Sequence, residues 1–68
     1  MIKDELILDY ISDSIRNAGY DPCSQLLGYL STGNIIYITR QGDARNLIKN
    51  VDNSDIEAFV KTLNHNQP

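Results

Sequence analysis

Cys23, His65 and three carboxylates spaced four apart, Glu5, Asp9 and Asp13, are the residues that could make or break bonds in this chain. A thiol at the start of a helix, as Cys23 would be after "YDP", can have its pKa lowered by the helix dipole. A nucleophile also needs a base, and the single histidine stands in the polar tail "NHNQP". Cys23 therefore reads as a small packing residue. Carboxylates at i, i+4 spacing line one helix face as a solvated stripe, whereas acid–base work needs them converging in a cleft. One Cys and one His cannot form a structural zinc set or an internal disulfide. The chain has no phosphate loop and no nucleotide fingerprint. No enzyme and no cofactor is expected.

The cations are more suggestive. Arg40, Arg45 and Lys49 fall within ten residues and are half of the six Lys and Arg. On a helical "GDARNLIKN", Arg45 and Lys49 lie four apart on one face, with Arg40 leading in. Tyr37 sits beside them, and an aromatic next to arginines is typical of protein interfaces. A protein-binding edge is one reading. An internal ion-pair network with the acidic stripe is the other, and composition leaves both open. A helix-turn-helix repressor using the same helix is the alternative of another class. The net charge of −3 and pI near 4.7 oppose it, and three cations make a thin footprint on phosphates.

The elements that must position these residues are short. At 68 residues the chain is one domain, with residues 1–63 folded and 64–68 a frayed polar tail. A core this small gives about 3–5 kcal/mol unaided, so self-association into a homodimer is the expected reinforcement. Short apolar runs and an acidic start argue against a membrane span or signal peptide, and a cytoplasmic location follows. Residues 3–18 predict an amphipathic helix with Ile7, Leu8, Ile11, Ile15 and Ala18 inward and Gly19 as its stop. "YDPC" predicts a second helix, capped by Asp21, with Leu26, Leu27 and Leu30 inward and Gly33–Asn34 ending it. Gly28 inside it suggests a crossing with another helix. "NIIYITR", 34–40, is β-like and predicts an extended connector or a strand that pairs across a dimer. A short third helix with Leu47 and Ile48 inward follows. The fourth should start at a Ser54–Glu57 capping box and bury Ile56, Phe59, Val60 and Leu63. The expected fold is all-α, four helices with one β-like connector.

The stretch "GYDPCSQLLGYLSTGNIIYITRQGDARNLIKN" closely resembles the signature of the IreB/ReoM family of small regulatory phosphoproteins of Gram-positive bacteria. Gly19, Tyr20, Pro22, Gln25, Gly28, Tyr29, Gly33, Tyr37, Arg40, Asp43, Ala44 and Arg45 match the pattern, and "SDIEAFVKTL" fits the closing helix, so the likeness spans about 15–63. The resemblance implies an all-helical homodimer without enzymatic activity. Relatives are phosphorylated by a membrane Ser/Thr kinase with cell-wall-sensing repeats. They tune peptidoglycan synthesis by controlling Clp-dependent proteolysis of its first committed enzyme. It also implies a functional surface that includes Arg40 and Arg45, with Lys49 at a commonly basic position and Asp43 in the same motif. The family's phosphorylated threonine, on an arm before the first helix, has no counterpart: the first threonine here is Thr32. "GNIIYIT" stands where the family has "GDPAYIP". The expectation is a shortened member that keeps the binding platform without the phospho-switch.

Overall fold

Four helices form where the apolar spacing places them: α1 (Ile2–Asn17), α2 (Pro22–Thr32), α3 (Ala44–Ile48) and α4 (Asn53–His65). The computed structural model describes residues 2–65, and side chains from 5 to 63. The remainder of the polar tail lies outside the described residues. α1 lies against α3 and also touches α2 and α4, while α2 lies along α4. Between them sits one core that includes Leu8, Ile11, Ile15, Leu26, Ile48 and Ile56, each almost fully buried. Burying such a side chain contributes about 1.5–3 kcal/mol, so these residues decide which way each helix faces. No helix among the described residues is long and apolar enough to cross a membrane.

The helix ends follow local chemistry. Gly19 (φ 90°) closes α1 with the paired backbone bonds of a left-handed cap: Tyr20 N–H donates to the Ile15 carbonyl (3.1 Å) and Gly19 N–H to that of Arg16 (2.9 Å). Asp21 caps α2 by accepting from Ser24 N–H (2.9 Å), and Pro22 takes the first helical position. Gly33 (φ 71°) ends α2 with its N–H on the Tyr29 carbonyl (2.7 Å). In α2, Leu26 is buried and Leu30 half-buried as expected, but Leu27 is 42% exposed. α4 buries Ile56 and Val60 and half-buries Phe59 and Leu63, the face its periodicity indicates. Its start differs from the expected Ser54–Glu57 box. The Asp52 carbonyl already accepts from Asp55 and Ile56 N–H (3.0 and 3.1 Å), so Ser54 lies inside the first turn.

The segment 34–40 departs furthest from its β-like reading. Residues 35–37 form one 3-10 turn, capped by the Asn34 side chain accepting from Ile36 N–H (3.1 Å). Asn34 before the turn (φ −97°, ψ 118°) and Ile38 after it (φ −103°, ψ 136°) are extended, and Ile38 is buried in the core. No strand forms among the described residues. Gly28 also has a different partner from the expected helix crossing. A Cβ there would stand 2.7 Å from Cδ1 of Tyr37, so the missing side chain seats an aromatic ring.

α3 is set up by two consecutive left-handed residues, Gly42 (φ 65°) and Asp43 (φ 63°). The backbone reverses there to bring Ala44 and Ile48 onto α1, both fully buried. Gly42 is fixed twice over: its φ favours glycine, and a Cβ would fall on Oγ of Ser14 and within 3.1 Å of the Tyr10 hydroxyl. Gly42→Ala should therefore destabilise by about 1–3 kcal/mol, a drop of several degrees or more in thermal midpoint, read by circular dichroism. An unchanged midpoint would show that α1 and the turn can separate at no cost.

Candidate protein-binding edge

The cation cluster divides into one residue that holds the fold and two that do not. Arg45, on the first turn of α3, folds back over the connector. Its Nε donates to the Ile38 carbonyl (2.7 Å) and one terminal nitrogen to the Ile36 carbonyl (3.4 Å). It is half-buried. Arg40 and Lys49 are exposed, and among the described residues neither meets a carboxylate. The internal neutralisation left open by composition is not seen there: Asp13 of the acidic stripe pairs instead with Arg16 (3.3 Å) on its own helix.

The connector is held on its other side by Gln25, whose Oε1 accepts from Thr39 N–H (2.9 Å). With the Tyr37 ring on Gly28, three separate groups of α2 and α3 fix residues 36–39. Ile36 is 65% exposed and Tyr37 45% exposed. The edge thus combines apolar surface, two cations that meet no carboxylate among the described residues, and a backbone tied at three points. Asp43 marks its end. Its carboxylate accepts from Asn46 Nδ2 (2.7 Å), which steadies the left-handed turn at an exposed position.

The sequence suggests Tyr37, Arg40, Arg45, Lys49 and Asp43 as a binding edge, and the structure places them along the connector, the left-handed turn and α3. Sequence reasoning missed Gln25 and Ile36 as parts of that edge. Gln25 was visible as a polar residue beside the buried Leu26, but its partner lies 14 positions on. The helix-turn-helix alternative fares poorly. α3 has five residues, about 7.5 Å of helix, and Arg45 is turned back onto its own chain.

Chemistry at the thiol is likewise disfavoured. Partial burial, then the neighbouring Asp21 carboxylate, push the Cys23 thiol above its ordinary range. That direction is opposite to the one a helix N-terminus alone would give. Alkylation of Cys23 by iodoacetamide should lag free cysteine at neutral pH and speed up only at a more alkaline pH than free cysteine needs; a midpoint below that of free cysteine would restore the reactive reading.

If Arg45 is a positioning residue, its removal costs stability and that of Arg40 does not. A hydrogen bond to a charged donor is worth about 1.5–3 kcal/mol, and the half-exposed setting puts Arg45→Ala near the lower figure. Its thermal midpoint should fall by several degrees, while Arg40→Ala stays within about 0.5 kcal/mol of the parent. Equal effects would mean the clasp carries no load.

A family comparison bears on what such an edge is for. The model of the IreB regulatory phosphoproteins matches residues 2–63. That span runs from the first turn of α1 to the half-buried Leu63 of α4, and includes the connector, the left-handed turn and every residue of the edge. An all-helical chain matched over almost its whole length belongs to the IreB regulatory phosphoprotein family.

Proposed function

We propose that this chain is a non-enzymatic regulatory module that binds protein partners through the edge formed by Ile36, Tyr37, Arg40 and Lys49. The observation that carries this is the clasp on the connector. Gln25, Arg45 and the Gly28 seat hold its backbone still while those four side chains stay exposed. A surface ordered before binding loses less entropy when a partner arrives. Exposed apolar groups give affinity there, and Arg40 and Lys49 give orientation. Arg45 and Asp43 act from behind, shaping the edge.

By family, the partners belong to the control of peptidoglycan synthesis: a cell-wall-sensing Ser/Thr kinase, and the Clp protease together with the first committed enzyme of that pathway. The working unit is a homodimer. A small core supports this, as does the exposure of Leu6 and Tyr10 on α1, which leaves apolar surface for a second copy to cover.

The double variant Arg40→Ala/Lys49→Ala tests the edge. Its circular dichroism and melting should match the parent, while binding to the purified Clp ATPase or to the committed enzyme falls at least tenfold, about 1.4 kcal/mol. Retained binding by a folded double variant would remove the edge from the function.

A further inference from the structure

α1 and α4 leave between them a groove of about 290 Å³. Leu8, Ala58 and Phe59 supply its apolar lining, and Glu5, Asp9 and Asp55 its carboxylates. None of these residues belongs to α3 or the connector, so the groove is separate from the cationic edge. Its volume falls just below the range usual for small-molecule sites, roughly 300–1,000 Å³. That is room for one or two side chains from a larger partner.

The lining specifies which side chains. An apolar surface walled by carboxylates suits an aliphatic stem ending in a positive charge, as in Lys or Arg. The Phe59 ring adds a face that attracts cations. On α1, Asp13 already has Arg16, but Glu5 and Asp9 have no cation against them among the described residues. Being four apart on one helix face they repel each other, and a cation placed between them would relieve that repulsion. We propose that this groove is a second docking site, taking a basic amphipathic segment of a partner protein by one Lys or Arg anchor.

The test uses the full-length chain, labelled with nitrogen-15, and synthetic peptides of about a dozen residues with Leu and Lys at helical spacing. The Leu/Lys peptide should shift the amide signals of Glu5, Leu8, Asp9, Ala58 and Phe59 saturably. Its affinity should weaken by about fivefold or more between low and physiological salt. A Leu/Glu peptide of the same length should leave those signals in place. Ala58→Trp, at an exposed position of α4, should fill the groove and abolish the shifts. Glu5→Gln/Asp9→Asn, which alters charge with little change of shape, should weaken binding about fivefold at low salt. Arg40→Ala/Lys49→Ala should bind the peptide as the parent does, which separates this site from the cationic edge. Shifts scattered over the surface, or binding that survives both groove variants, would overturn the proposal. So would movement of the same signals with protein concentration alone, since the groove would then be filled by a second copy.

Discussion

The hydrogen bond from Arg45 Nε to the Ile38 carbonyl is the constraint on which the cationic edge depends. The connector between α2 and α3 has a buried residue, Ile38, whose N–H closes the 3-10 turn on the Ile35 carbonyl. Its own carbonyl, like the Thr39 N–H after it, has no strand or helix to satisfy it. Buried backbone groups left unpaired cost about 1–3 kcal/mol each, so an extended segment lying on a core normally needs a neighbouring strand. Here side chains take the place of the ladder. Gln25 accepts the Thr39 N–H from one side and Arg45 donates to the Ile38 and Ile36 carbonyls from the other. Anchored at Ile38 in the core and tied on both sides, the segment leaves Ile36 and Tyr37 at the surface.

Arg45 can reach back only because α3 starts where it does. Two left-handed residues in a row turn the chain sharply, and the second is not glycine. An L-residue in that region costs of order 1–2 kcal/mol; Asp tolerates it better than most, and the Asn46 amide on its carboxylate offsets part of the cost. The return is the burial of Ala44 and Ile48 against α1. Gly42 seals the arrangement by fitting where a side chain would strike Ser14. The turn, the short helix and the clasp are therefore one unit: loosening the turn would withdraw the guanidinium from the connector.

This explains what could be read in the sequence and what could not. Helices, their inward faces and most caps depend on neighbours within four or five positions, so Gly19, Asp21, Pro22 and Gly33 announce their roles by type and spacing. The connector's conformation depends on partners 7 and 14 positions away, and on a ring that finds a glycine on another element. From composition alone "NIIYITR" favours a strand, because β-branched and aromatic residues suit a pleated surface. What overrides that preference is tertiary. The same distance effect hid the contacts of Arg45. Its type and its i, i+4 spacing with Lys49 suggested display, and only the fold shows that its donors face inward. The α4 cap was misplaced for a smaller reason: Asp52 and Ser54 are both good capping residues, and the backbone chose the earlier one.

Charge plays two unequal parts in this molecule. An exposed ion pair contributes about 0–1 kcal/mol, so joining the acidic stripe of α1 to the cations near α3 would have added little to a fold held by its core. Leaving Arg40, Lys49, Glu5 and Asp9 without an ion pair among the described residues costs correspondingly little, and it leaves two surfaces of opposite sign on one small domain. Arg45 differs because its contribution is directional: it supplies donors to the part-buried Ile38 carbonyl and to the exposed Ile36 carbonyl, a task for which its planar fork is suited and its charge is secondary. On the proposed function, stability and recognition thus fall to different side chains within one cluster of like type. The number of positive residues in a motif is consequently a poor measure of its binding surface; which of them have donors already committed to the backbone is the measure that matters.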